Sequence, residues 1–224
     1  MRTNETDGAA KPNFMGDLPR LKTQRRTGDE RFTDGEQKLP ITIRDFWCWS
    51  TSDLLSNTTR GVLAEFLVAT ALGIASSGVR DPWAAYDLEA DGLKIEVKSS
   101  AYLQSWFQKR PSSIAFDTPK TRAWDPDTNA VAADSARQAD VYVFAVLIHT
   151  DKNTVNPLDV SQWEFYVLPT SALNSELGAR RSITLKALQG TSAGPVTFDR
   201  LAARIRHVGV PPTATFCRPS GATD

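Results

Sequence analysis

Apolar positions are sparse in the first 40 residues, dense from residue 41 to residue 79, and afterwards gathered into short runs between polar turns. "ITIRDFWCWSTSDLLSN" (41–57) predicts a helix carrying Phe46, Trp47 and Trp49, aromatic anchors of a core. "TTRGVLAEFLVATALG" (58–73) predicts a second helix, with Thr58 or Thr59 able to cap its start and Gly73 its end. Between Gly61 and Val79 the single charge is Glu65, and its neighbours Val62, Leu63, Phe66, Leu67, Val68 and Leu72 are apolar nearly all round. That pattern predicts a mostly buried helix. "AAYDLEA" and "LKIEVKSS" then alternate about Asp91-Gly92, a strong hairpin signal. "SSIAFDT" predicts a third strand. "ADVYVFAVLIHT" reads as a central strand covered on both faces, since its apolar run is nearly continuous. "WEFYVLP" predicts a further strand, "TSALNSEL" a helix, and "FDRLAARIRHV" a terminal amphipathic helix with a basic face. This order predicts an α/β fold with a central mixed sheet flanked by helices. Residues 1–40 read as a mobile N-terminal arm, 41–210 as one domain and 211–224 as a flexible C-terminal tail.

The chain of 224 residues is long enough for one domain with a substantial core. Its 26 basic and 26 acidic residues cancel, so a nucleic-acid contact has to use local basic patches rather than a global field. Cys48 and Cys217 are too few for a disulfide scaffold or a cysteine-rich zinc site, and His149 and His207 lack ligand spacing. With no long apolar span and no hydrophobic leader, a cytoplasmic location is expected.

Candidate chemistry gathers in the hairpin. A two-residue turn sets Ala90 against Leu93, Glu89 against Lys94, Leu88 against Ile95 and Asp87 against Glu96. Alternation puts Lys94, Glu96 and Lys98 on one face and Leu93, Ile95 and Val97 on the other. Opposed carboxylates repel, and a hard divalent ion such as Mg²⁺, which takes one or two carboxylates plus waters and phosphate oxygens, would remove that repulsion. The ion would also polarise a phosphodiester and acidify a bound water. Lys98 could orient that water, and Glu65, costly to bury alone, could support a second ion unless a core Arg or a backbone amide pairs it.

Asp87, then Glu96-Val97-Lys98 on a strand pair, preceded by a helix with Glu65, resembles the PD-(D/E)xK nuclease superfamily, the restriction-endonuclease-like fold. The resemblance covers residues 58–169. It implies a restriction-endonuclease-like core with Asp87, Glu96, Lys98 and Glu65 as catalytic residues and Asp87, Glu96 and Glu65 as metal ligands. It further implies a Mg²⁺ cofactor that Mn²⁺ can replace, and a role as a DNA endonuclease, in restriction or mobile-element defence. Gln104 fits the place of a glutamine that many members carry after the lysine. Tyr86 stands where the motif has proline.

Other residues have competing readings. Tyr102, Gln104 and Trp106 could line a nucleic-acid groove, with Trp106 read as core. Lys109 and Arg110 in "QKRP" could contact phosphate, and Arg60 could pair Glu65 or reach substrate. Arg137 is a lesser phosphate candidate. Glu89 is expected to pair with Lys94. Alternatives to a nuclease are a non-catalytic nucleic-acid-binding or assembly subunit, and a carboxylate-pair glycosidase. Double-strand cutting would favour a homodimer, and a targeting partner protein is a further expectation.

Overall fold

The computed structural model describes residues 16–209. The tail at 211–224 and the first part of the N-terminal arm therefore lie outside the described residues. Ten strands and five helices follow one another in this part of the chain. The first are β1 (Arg31–Asp34), β2 (Gln37–Thr42), α1 (Ile43–Thr51), α2 (Asn57–Ala71), β3 (Leu88–Ala90) and β4 (Leu93–Ala101). Then come β5 (Ala115–Asp117), β6 (Thr121–Trp124), β7 (Val131–Ala136), β8 (Val141–Leu147) and β9 (Trp163–Pro169). The last are α3 (Thr170–Leu177), β10 (Ser182–Thr184), α4 (Leu185–Gln189) and α5 (Phe198–Gly209).

The main sheet has the order β3-β4-β8-β9. β4 runs parallel to β8, and the other two pairings are antiparallel. Every residue of β8 is buried, as its apolar run predicts. One face of the sheet presents Ile95, Val97, Val143, Ala145, Phe165 and Val167 to Ala64, Leu67 and Val68 of α2 and to Leu201 and Ile205 of α5. The opposite face presents Tyr142, Phe144, Tyr166 and Leu168 to Leu173 and Leu177 of α3, Leu185 and Leu188 of α4, and the β5–β10 pair. The architecture is the expected α/β type: a mixed sheet between helices, with two apolar layers set by alternation along each strand.

Several expectations are corrected. Secondary structure begins at Arg31 rather than Ile41, because β1 and β2 pair through residues that are almost all exposed and so leave no apolar pattern. The first helix stops at Thr51 instead of reaching residue 57. There the Asp53 carboxylate accepts the Leu55 and Ser56 N–H groups, both at 3.1 Å, an Asx turn that competes with helix. Phe46, Trp47 and Trp49 are not core anchors: they are 48, 38 and 86 % exposed, and α1 buries no residue. Ser56, not Thr58 or Thr59, caps α2 through its hydroxyl to the Thr59 N–H. Gly73 does end the helix, at φ +77°. Nor is α2 buried all round, since Val62 and Phe66 face outward. The "SSIAFDT" strand forms as β5 but joins β10 outside the main sheet.

Candidate active site

The β3–β4 hairpin turns on Asp91 and Gly92, both at positive φ, as the paired strands require of a two-residue turn. The register is the predicted one: Ala90 against Leu93, Glu89 against Lys94, Leu88 against Ile95. Paired strand residues end at Leu88, and Asp87 does something other than face Glu96 squarely. Its N–H donates to the Ile95 carbonyl at 3.1 Å, and its Oδ2 accepts the Val97 N–H at 2.7 Å. The side chain thus fastens to the backbone of β4 between Glu96 and Lys98. Beside it, Lys98 Nζ donates to Glu96 Oε1 at 2.5 Å.

Electrostatics set Asp87 apart. Burial, then the negative charge of Glu96, push its carboxyl from 3.8 up to about 7; Glu65 adds to the rise, while the Val97 N–H and Lys98 oppose it. Such a shift is what like charges in a partly desolvated pocket produce. On β8, Tyr142 stands opposite Glu96 in the register, and burial together with Glu96 raises its hydroxyl as well.

Glu65 has the partner that a buried carboxylate needs, and it is Arg80. Arg80 Nη2 donates to Glu65 Oε1 at 2.9 Å, and its Nε donates to the other oxygen. The guanidinium is held in its charged form first by that hydrogen bond, with Asp87 and Asp81 contributing. Arg80 sits in the loop between α2 and β3, and only a folded loop brings it to Glu65. Of the alternatives open to Glu65, a core arginine, a backbone amide or a cation, the arginine is the one present, and nothing in the sequence singles out Arg80. Among the described residues, no three His, Cys, Asp or Glu side chains are grouped to hold a metal ion. Both oxygens of Glu65 are engaged by Arg80.

A cavity of about 430 Å³ opens beside these groups, between α2, the loop 74–86 and the start of β3. Val62, Phe66 and Val79 give it apolar walls, and Glu65, Arg80 and Asp87 line its polar side. Glu89, also on its rim, accepts the Tyr86 hydroxyl at 2.5 Å, and Lys94 lies over the Tyr86 ring instead of forming the expected ion pair with Glu89.

The other candidate residues lie elsewhere. Arg60 and Gln104 are 3 and 6 % exposed and bonded to each other at 3.2 Å. Arg60 also donates to the Leu55 carbonyl, Ser99 and Asn57, so it pairs with neither Glu65 nor solvent. Arg137 is buried too, donating to the Thr118 and Arg180 carbonyls and to Asn174. Tyr102 packs half-buried against the second core layer. Lys109 and Arg110 are exposed, and Trp106 is 52 % exposed rather than core.

A family model described as bacteriophage T4 endonuclease IV matches residues 30–181, a span that holds the whole hairpin, Glu65 and Arg80. No curated protein matches the chain. No helix among the described residues is long and apolar enough to cross a membrane.

Proposed function

The chain belongs to the bacteriophage T4 endonuclease IV family, and from that premise we propose that it hydrolyses phosphodiester bonds of DNA at the site formed by Asp87, Glu96 and Lys98, with a divalent metal ion as cofactor. One observation carries this reading: the Asp87 carboxyl, locked to the Val97 N–H yet forced up to about 7 by burial and by Glu96. Two carboxyl groups kept together at that cost suit a cation that neutralises both.

The donor set fits Mg²⁺, or Mn²⁺ in its place, because such ions take one or two carboxylates and complete their shell with water and phosphate oxygens. Asp87 and Glu96 would hold the ion. When bound it supplies charge neutralisation at the phosphate and a more acidic water. The chain's own groups do the rest. Val97 fixes the Asp87 carboxylate through its N–H, so that oxygen cannot swing away from the strand. Lys98, tied to Glu96, carries the donors that can orient the attacking water or meet the charge growing on the phosphate. Arg80 takes up the charge of Glu65 and leaves that residue a supporting part, outside the ligand pair. This division of labour is the one that the PD-(D/E)xK resemblance implies, apart from the helical glutamate.

The test is cleavage of supercoiled plasmid and of single-stranded DNA in Mg²⁺, Mn²⁺ or EDTA, for the natural chain and for Glu96→Ala. Metal-dependent cutting that disappears in the variant is the expected result. Equal cutting by both chains would refute the site, and metal-enhanced DNA binding without cutting would favour a non-catalytic subunit.

A further inference from the structure

β4 carries Glu96 and Lys98 and then runs straight into the loop 102–112. This loop is unusually well tied for a connection. The Ser112 N–H donates to the Tyr102 carbonyl at 2.8 Å, closing its base. Gln108 spans its middle: its Oε1 accepts the Gln104 N–H at 2.7 Å, and its Nε2 donates to the Tyr102 carbonyl at 3.2 Å and to Ser112 Oγ at 3.1 Å. Lys152, from the turn after β8, donates to the Trp106 carbonyl at 2.5 Å. What these bonds hold in place is a pair of aromatic rings in water: Trp106 is 52 % and Phe107 84 % exposed. Lys109 and Arg110 follow at once, both exposed.

A phenylalanine gains nothing from water, and a mobile loop would let it collapse onto the surface. Here five hydrogen bonds tie the loop that carries it, and three cationic residues go with that loop: Lys109 and Arg110 within it and Lys152 bonded to it. Flat aromatic faces beside cations are the combination that binds a nucleic-acid strand, the rings stacking on bases and the cations tracking phosphates. The loop also leaves its strand about 10 Å beyond Lys98, at three residues of strand rise, so a polynucleotide at the catalytic pair can reach it.

We propose that Phe107, with Trp106 beside it, is a stacking platform for an unpaired base of the bound strand, and that Lys109, Arg110 and Lys152 fix the adjoining phosphates. The inference rests on the reading of the chain as a nuclease, but its test does not rely on cleavage. In the Glu96→Ala chain with Mg²⁺, an oligonucleotide bearing 2-aminopurine is titrated and its fluorescence followed, since stacking quenches that base. Phe107→Ala is expected to abolish the quenching and weaken binding roughly five- to a hundredfold, while Phe107→Trp restores both. Lys109→Ala with Arg110→Ala should flatten the salt dependence of affinity and leave the quenching of bound probe in place. Unchanged quenching and affinity in Phe107→Ala would overturn the platform even if the natural chain cuts DNA. Quenching that needs Phe107, together with no cleavage by the natural chain, would uphold it and sink the nuclease reading instead. A change of oligomeric state in Phe107→Ala, with quenching intact, would make the rings a contact between copies and overturn the proposal.

Discussion

Replacing Asp87 by Asn should stabilise the metal-free protein, and by an amount that depends on pH. The carboxyl stands at about 7 in the folded chain against 3.8 as its ordinary value. Because the folded value is the higher one, the folded state gains by keeping the proton. Relative to the fully protonated state, its stability falls as pH rises from about 4 and levels off above about 7. Asp87 then costs about 4 kcal/mol at pH 9, where it is ionised in the folded chain, and about 2 kcal/mol at pH 5, where folding has to take up a proton. Asn can still accept the Val97 N–H, but its amide N–H₂ has no assured partner, which takes back about 1–2 kcal/mol. The net expectation for Asp87→Asn in EDTA is a gain of about 2–3 kcal/mol at pH 9 and little change at pH 5. Urea unfolding of both chains across that range measures it, provided the slope with urea stays the same. Adding Mg²⁺ should raise the stability of the natural chain at pH 9, since an ion bound only by the folded state stabilises it, and should do much less for the variant. A variant less stable than the natural chain at pH 9, or a difference that does not vary with pH, would refute the argument and make Asp87 part of a favourable ion pair.

Two further perturbations probe the residues around it. Arg80→Ala strands Glu65, whose side chain is only 10 % exposed; since Arg80 itself is 39 % exposed, water softens the loss to about 1–3 kcal/mol, below that of a fully buried pair. Thermal unfolding reads it, and an unchanged melting temperature would show that Glu65 finds other partners. Arg60→Ala removes four hydrogen bonds within the fold and should cost about 3 kcal/mol, while DNA affinity per folded molecule stays constant. A selective loss of affinity at full stability would return Arg60 to the substrate.

The sequence made the hairpin legible because two strong local rules agree there: strict alternation on both arms and a turn pair that tolerates positive φ. β8, β9 and α3 were equally readable, β8 from an unbroken apolar run that only a doubly covered strand can afford. The misreadings share a cause. An apolar or aromatic residue says that burial would help it, not that a neighbour is available. Phe46, Trp49, Phe66 and Trp106 stay in or near solvent because nothing among the described residues covers them. β1, β2, β6 and β7 pair through mostly exposed residues and carry no periodic signal. In the candidate site, the sequence offered Asp87, Glu96 and Lys98 as a group because they lie within one hairpin. It could not show that Arg80 claims Glu65, since that pairing depends on the path of an irregular loop. The tie from Asp87 to a backbone N–H was hidden for a related reason, since it arises where regular pairing stops.

The parallel seam between β4 and β8 has a kinetic consequence. Asp87, Glu96 and Lys98 are neighbours along the chain, so their hairpin can form from local contacts, early and cheaply. β8 lies far along the sequence, with Tyr142 as the partner of Glu96, and joining it closes a long loop. A hairpin still in water would leave Asp87 an ordinary carboxylate. The proton affinity that marks it in the finished molecule comes from burial first and from Glu96 second, so the steps that cover the hairpin are the ones that feel its charge. Refolding in EDTA should slow as pH rises from about 4 toward 7 to the extent that the hairpin is covered in the transition state, and the remaining pH dependence should appear as faster unfolding over the same range.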